Sequence, residues 1–506
     1  MSTRNQYRTV NGNPWNHAPK KRKGLLPKSS ATRGFAAAKT DDLTYNFAGS
    51  YLSVNEELRH GLRSIRAKSR QLFMDNDYAK KFGHMCKSNI VGVNGIVLQA
   101  RAKNNGVLDE RDNAAIEAGW KEWCKPKNCT TTGRHSWKDV QNISAISVPR
   151  CGEILVQLID KPSHPFGFVI RLLSADYLDE NHNVILPNGN RILMGVEEDR
   201  DGLIVAYHLR DQSAALFKTH YPTKNYKRVK ADDIVHLFVS DFPDQARGLP
   251  WMHTAIRRLN MIGGYEEAEL VAARLGASKM GFYTTENGGE VDVDDMTPGV
   301  EEGQDSDLVE EVEPGMLQQL NPGEGFVPFD PQHPTSAFSD FMKAVLRGAA
   351  SGLNVAYNSI ANDLENVNFS SIRAGTIEER DHWKQTQGWM IEHLHSRVYE
   401  RWLSAAIFKQ KLRLPLKKID DKYMDVHWQA RGWAWVDPLK DSKAHSEKIA
   451  GGRGTRTAVL AEEGRDFNET IETLAYEEMI AKKAGVNINP HQGIMEAPSE
   501  QETSQD

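Results

Sequence analysis

"LPWMHTAIRRLNMIGGYEEAELVAARLGASKMGFY", Leu249 to Tyr283, decides the fold of this 506-residue chain. Ile256, Leu259, Ile262, Leu270 and Leu275 recur near helical spacing, so the stretch reads as one helix of roughly thirty residues leaving Pro250. Its far end is rich in small residues, Ala272, Ala273, Gly276 and Ala277. Small side chains let helices approach closely, so this end is expected to pack against a neighbouring helix.

Upstream, the hydrophobic period is two. "GEILVQLID", "FVIRLLSADYL", "RILMGVEED", "GLIVAYHLR" and "DDIVHLFVS" lie between residues 150 and 240 and read as short strands of a mixed, mostly antiparallel domain. The third and fourth are joined by "DRDG", where Asp201-Gly202 is a hairpin signal. Further upstream, Leu58, Leu62, Ile65 and Leu72, then Tyr78, Phe82 and Met85, predict two helices, the second closed by Gly92 and Gly95. "GIVLQARAK" begins a strand, and Ile116, Trp120 and Trp123 mark a helix running up to Pro126.

Downstream, "PGEGFVPFDPQHP" carries four prolines and reads as extended chain and turns. A second helix starts at Thr335 or Ser336 and shows Phe338, Phe341, Met342, Val345 and Ala349 on one side. "NVAYNSIANDLENVNFSS" follows, with Asn354, Asn358, Asn362 and Asn366 at intervals of four. Asparagine competes for backbone groups, so these residues do something other than propagate a helix. A third helix is predicted from near Ser370 to about Ile407; uninterrupted, it would reach about 57 Å and is expected to cross or leave its own subunit. "MDVHWQ" and "GWAWVDP" return to strand character, and the segment after Asp437 reads as two or three helices broken at Gly451 and Gly452. The tail from Asn487 is disordered in composition.

Composition excludes several classes. Apolar residues at 39% and charged residues at 26% are those of an ordinary globular protein, with no apolar run of the ~20 residues that span a bilayer and no secretory signal. Four cysteines, Cys86, Cys124, Cys129 and Cys151, do not make a disulfide framework, and "CKPKNC" has no second pair to complete a zinc site. No metal or cofactor is expected. "GGRGTRT" lacks the lysine and preceding strand of a phosphate loop, "AASGL" is not a nucleophile elbow, and His393 and His395 diverge on a helix. No catalytic constellation emerges, so the chain reads as a non-enzyme. Charge is uneven around a net of −5: nine Lys or Arg and no acid in the first forty residues, against eleven acids and no base from 288 to 315. Such asymmetry points to nucleic-acid or partner surfaces, or to a disordered arm and a solvated loop.

In order along the chain, "RGFAAAKTDDLTYNF", "LRSIRAKSRQLFMDNDYAKKF", "NIVGVNGIVLQ", "CGEILVQL", "GVEEDRDGLIVAYHL", "ADDIVHLF", "DQARGLPWMHTAIRRLNMIGGYEEAELVAARLGASKMGFY", "NFSSIRAGTIEERDHWKQTQ" and "VDPLKDSKAHSEKIAGGRGTRTAVLAEEGRDFNETIETLAYE" resemble the lambda-type portal proteins of tailed bacteriophages. The ordered set covers nearly everything between residues 33 and 480. The resemblance implies an α+β portal fold: a basic arm (1–50), a mixed α/β wing (51–250), two stem helices (251–284 and 335–353) around an α/β clip (285–334), a tunnel loop (354–368), a long helix and wing return (369–436), a helical crown (437–485) and a tail (486–506). It implies a homo-oligomeric ring, usually a dodecamer, at one capsid vertex, through which double-stranded DNA is packaged and ejected. Its partners would be the terminase large subunit, the major capsid protein and scaffold, and head-completion or tail proteins, with no membrane; its place would be the virion, and the host cytoplasm during assembly.

On that plan Asn358, Asn362 and Asn366 belong to the tunnel loop. Amides bond phosphate or water without the Coulombic hold of a cation, so they are expected to face the channel, unless they form the polar outer face of a packed loop. The acids Glu301, Glu302, Asp305, Asp307, Glu310 and Glu311 fall in the clip, as a docking patch for a basic partner or as a flexible insertion. Ala272, Ala273, Gly276 and Ala277 fall on the stem, for subunit packing. The competing classes are a nuclease-like DNA enzyme, which needs a carboxylate cluster on ordered elements, and a shell or scaffolding protein, which needs no long helical stem.

Overall fold

The structure, a computed structural model, describes residues 50–210, 225–277, 281–285, 324–328, 338–365, 368–414, 421–433, 438–462, 465 and 467–485. The chain divides into Met1–Leu52 and Ser53–Asp506, and all described helices and strands lie in the second unit. The described residues form helices and five antiparallel sheets.

Helix α1, Val54–Asp75, starts at a capping box in which Ser53 and Glu56 satisfy each other's backbone N–H groups. Asn76 caps α2, Asp77–Cys86, by accepting from Ala79 N at 3.0 Å. A π turn over Lys87–Val91 ends at Gly92, whose φ of 73° suits glycine. Strand β1 is Val97–Ala100; β2, Lys103–Asn104, and β3, Val107–Leu108, form a small hairpin on Asn105-Gly106 at φ 52° and 85°. Then come α3 (Glu110–Trp123), the single turn α4 (Pro126–Cys129) and α5 (Trp137–Cys151). The sequence pattern does not announce α5, which holds Pro149 and two serines, Ser144 and Ser147.

Strands β4 (Glu153–Asp160), β5 (Phe168–Ser174) and β11 (Ile234–Phe238) make a three-stranded sheet ordered β11-β4-β5; β6 (Val184–Ile185), β7 (Arg191–Leu193), β8 (Val196–Glu198), β9 (Ile204–Arg210) and β10 (Tyr226–Lys230) make a five-stranded meander. "RILMGVEED" is therefore two strands, because Met194 and Gly195 take φ 48° and 87° and reverse the chain. The hairpin at Gly202 forms as expected, with β8 antiparallel to β9. Alternation along β4 explains its continuous apolar run: Ile154, Val156 and Leu158 join the helical core, while Leu155 joins Val196, Tyr207 and Leu209 between the two sheets.

Helix α6, Ile256–Ala277, is shorter than its sequence suggests. Residues 251–255 form turns, and Gly281–Tyr283 belong to strand β12 (Gly281–Thr285), whose aromatic and threonine residues favour extended chain. Strand β12 pairs antiparallel with β13, Glu324–Pro328, at the extended segment read from its prolines. Helices α7 (Phe338–Gly352), α8 (Tyr357–Ala361) and α9 (Phe369–Met390) follow; α9 runs through a π turn at Ile391–Ser396 into α10 (Arg397–Phe408). The predicted long helix is thus helical throughout but widened in the middle. Strand β14, Val426–Gln429, pairs with β1, whereas residues 432–433 of "GWAWVDP" form no strand and 434–437 lie outside the described residues, as do Thr335 and Ser336. Helices α11 (Pro438–Ala450), α12 (Arg456–Glu462) and α13 (Phe467–Ala484) close the chain, broken at Gly451 and Gly452 as expected. No described helix is long and apolar enough to cross a membrane.

The core centres on Trp120, whose ring lies 4.9 Å from Trp123, 5.0 Å from Trp402, 5.7 Å from Trp137 and 5.8 Å from Trp428. Four elements, α3, α5, α10 and β14, meet there through edge-on and offset rings. A second close approach is backbone on backbone: a Cβ on Gly248 would lie 2.2 Å from the Gly152 carbonyl oxygen and 2.6 Å from Phe238 Cβ. Gly248→Ala is expected to lower stability by about 3 kcal/mol or more, because neither obstacle can rotate away. Gly106→Ala, with open space around it, is expected to cost about 1 kcal/mol from its positive φ alone. Paired denaturant titrations read the difference.

Candidate functional site

Beside the Gly152–Gly248 contact sits a densely charged interior cluster. Glu153, the first residue of β4, is 1% exposed and faces two guanidinium groups that are themselves buried. Its Oε1 accepts from Arg66 Nη2 of α1 at 2.8 Å and from Arg247 Nε at 2.9 Å; its Oε2 accepts from Gly248 N at 2.9 Å and lies 3.0 Å from His236 Nε2 of β11. Arg66 Nη1 continues to Glu180 at 2.8 Å, and Arg247 Nη1 donates to the Met194 carbonyl at 2.7 Å. Two cations and two anions balance.

Desolvation opposes ionisation of Glu153, but Arg247 first, then the His236 hydrogen bond and Arg66, hold its carboxyl well below the ordinary value of 4.5. Burial depresses His236 from 6.5, so it stays neutral and donates to the carboxylate. The set joins α1, both larger sheets and the chain entering α6, and so fixes where α6 departs.

Helix α6 then pairs with α7. Thr254 Oγ1 donates to the Gly352 carbonyl at 2.9 Å, Arg258 Nη1 to the Gly348 carbonyl at 3.2 Å, and Tyr265 packs on Phe338 and Phe341. The partners descend as α6 ascends, so the helices run antiparallel, with Ile262, Met342 and Leu346 buried between them. The close approach within one chain uses Gly348 and Gly352. Ala272 and Ala273 are half-buried, and Gly276 and Ala277 continue the backbone of α6.

The asparagine segment is clamped from three sides. Asn354 and Asn362 both take φ 54°, the left-handed conformation, and bracket the short α8. Asparagine tolerates that conformation better than most residues, which accounts for two of the four. Asn354 Nδ2 lies 2.9 Å from His382 Nδ1 of α9, and Asn362 Oδ1 accepts from Lys81 Nζ of α2 at 2.8 Å. Glu379, also of α9, accepts from Ala356 N, Ser359 Oγ and Trp383 Nε1. From α7, Lys343 pairs with Glu365 at 3.1 Å and Arg347 lies over the Tyr357 ring. Asn358 is half-buried and with Lys81, Asn362, Thr376 and Glu379 lines a cavity of about 420 Å³. Asn366 lies outside the described residues, as do Glu301, Glu302, Asp305, Asp307, Glu310 and Glu311.

Sequence reasoning missed Glu153, Arg66, Arg247 and Glu379. An acid opening an apolar strand and an arginine in "QARGLPW" were the available signals. His395 behaves as read: it points away from His393, is fully buried, and its Nδ1 lies 3.1 Å from the Met390 carbonyl.

Sequence comparison with known proteins gives a consistent result. The model of the family described as "Phage portal protein, lambda family" matches residues 40–387. The probable portal protein of Halomonas phage phiHAP-1 is 33% identical over 440 residues, 86% of this chain and 83% of that protein. Portal protein B of Escherichia phage lambda is 21% identical over 466 residues, 86% of this chain and 87% of the other. Among solved structures, a chain from the neck of an empty GTA particle aligns with a TM-score of 0.44 at 13% identity, covering 80% of this chain and 94% of that one.

Two expectations follow from the buried charges. Glu153→Gln should cost about 3–5 kcal/mol, because both arginines lose their shared counter-charge. For pH, the stability Glu153 contributes is complete above its ordinary value of 4.5 and is lost as pH falls through its lower folded value. His395 acts earlier: burial lowers it from 6.5 to about 4, so the unfolded chain takes up a proton the folded one refuses, and stability falls between those values by about 3 kcal/mol. Urea titrations of wild type and His395→Gln across that range should show a steeper loss of stability in wild type, the slope left in the variant being that of His236 and the other depressed imidazoles.

Proposed function

The chain belongs to the lambda family of phage portal proteins, and on that premise we propose that its copies close into a dodecameric ring at the unique capsid vertex, the conduit for double-stranded DNA during packaging and ejection. The match across residues 40–387 carries this reading. Its partners are then the terminase large subunit, the major capsid protein and scaffold, and the head-completion or tail proteins; its place is the virion after assembly in the host cytoplasm. The role is structural, with no catalytic step assigned.

The local geometry supports the assignment of parts. An antiparallel helix pair, α6 with α7, separated by the paired strands β12 and β13, suits a stem carrying a clip, and the described helices and strands between residues 51 and 250 suit the wing. Ring closure needs apolar surface left over by the single chain. Helix α6 exposes Met261, Leu270 and Val271, and α13 exposes Leu474, Tyr476 and Met479. Ala272, Ala273, Gly276 and Ala277, in the same helix, serve as subunit packing residues. Glu301, Glu302, Asp305, Asp307, Glu310 and Glu311 form the docking patch of the clip.

Asn358, Asn362 and Asn366 serve the channel by offering hydrogen bonds without fixed charge. Because Asn362 also holds the left-handed turn and Lys81, the clean test is Asn358→Lys with Asn366→Lys. Rings of normal appearance in negative stain that package DNA several-fold more slowly in a DNA-filling assay are expected. Packaging at the wild-type rate removes the channel assignment. A purified chain whose native mass stays that of one copy removes the ring.

A further inference from the structure

The turn between α11 and α12 gathers exposed cations at a reversal of the chain. From Ser442 to Thr457 the chain carries four cations, Lys443, Lys448, Arg453 and Arg456, against one acid, Glu447. All four are exposed, and among the described residues no ion pair holds any of them. Some cations elsewhere are answered, Lys125 by Glu122, Lys343 by Glu365, Arg401 by Asp160 and Lys422 by Asp112, whereas α1 also presents Arg59, Arg63 and Lys68 to solvent, along a helix and not at a turn.

Local geometry gathers the charges. Arg453 N donates to the Lys448 carbonyl at 2.8 Å across the break, where Gly452 takes φ 67°. Lys448 Cβ lies 3.5 Å from the position of a Cβ on Gly454, and Arg453 Nε 3.5 Å from one on Gly451. Arg456 opens α12 beside Thr455, whose hydroxyl accepts from Ala458 N at 3.1 Å. Lys448, Arg453 and Arg456 thus share one reversal flanked by glycines, with Lys443 farther back on α11.

We propose that this turn contacts the phosphate backbone of duplex DNA. The residues between these cations are mostly Gly, Ser, Thr and Ala, with His445, Glu447 and Ile449 besides, and include none of the Trp or Tyr anchors that dominate protein–protein hot spots. Exposed cations of one sign on a short, small-residue turn are the equipment of sequence-independent phosphate binding. The inference rests on the portal reading, which supplies DNA as the polyanion, and in a ring the patch repeats in every copy.

The test uses assembled rings and a short fluorescent duplex. Lys448→Gln/Arg453→Gln/Arg456→Gln is compared with Arg59→Gln/Arg63→Gln/Lys68→Gln, which removes three exposed cations from α1. The first variant is expected to bind at least tenfold more weakly, and the slope of log affinity against log salt to shrink by about one for each phosphate that is no longer neutralised; the second keeps wild-type behaviour. Wild-type affinity and slope in the first variant, or an equal weakening in both, overturns the proposal. If the triple variant does not assemble, Arg453→Gln and Arg456→Gln are measured singly in rings, and no change in either has the same force. Failure of wild type to form rings counts against the portal reading instead.

Discussion

Burying a carboxylate without partners is prohibitively costly, and Glu153 is tolerated only because Arg66, Arg247, His236 and the Gly248 amide converge on it. These donors come from three separate parts of the chain. The carboxylate therefore acts as a geometric test: α1, β11 and the approach to α6 must all be in place before the charge is compensated. An apolar core of equal volume would hold these elements with less insistence on register. The two glycines complete the constraint by letting the strand end and the outgoing chain touch backbone to backbone.

From that anchor the order of the rest follows. Helix α6 departs in a fixed direction, α7 returns along it through Gly348 and Gly352, and the asparagine segment begins where α7 ends. Glu379 and His382 on α9 hold the start of that segment, while Lys81 and Lys343 hold its later part. Helix α9 reaches the tryptophan core through the π turn, which buries His395 against Trp137 and Trp428. The segment proposed for the channel is thus rooted in the tryptophan core.

Periodic elements were legible in the sequence because burial on one face writes a period. Helices α1, α2, α3, α7 and the run from α9 to α10 were read near their true limits, as were β4, β5, β9 and β11. Helix α5 was not, since it is buried around much of its circumference and carries Pro149. The turn at Met194-Gly195 was hidden because methionine is no turn former and only the strand geometry reveals its φ of 48°. The charged anchor was illegible for a different reason: Arg66 and Arg247 lie 87 and 94 residues from Glu153, and local pattern says nothing about which distant ions meet. The lambda-family identity was read from ordered strings, not from any one residue, and the family match spans the same ground as far as residue 387.

The two surfaces proposed for DNA divide the work by charge. Amides exchange one phosphate hydrogen bond for another, or for water, at little cost, so a lining of asparagine lets a duplex slide. Guanidinium and ammonium groups release condensed counterions on contact and so hold the backbone in a salt-dependent way. A ring made wholly of cations would trap its cargo, and one made wholly of amides would let packaged DNA slip. Placing amides on the clamped segment and cations on a separate turn between α11 and α12 separates passage from retention, and either property is then adjustable without disturbing the buried charges that fix the fold.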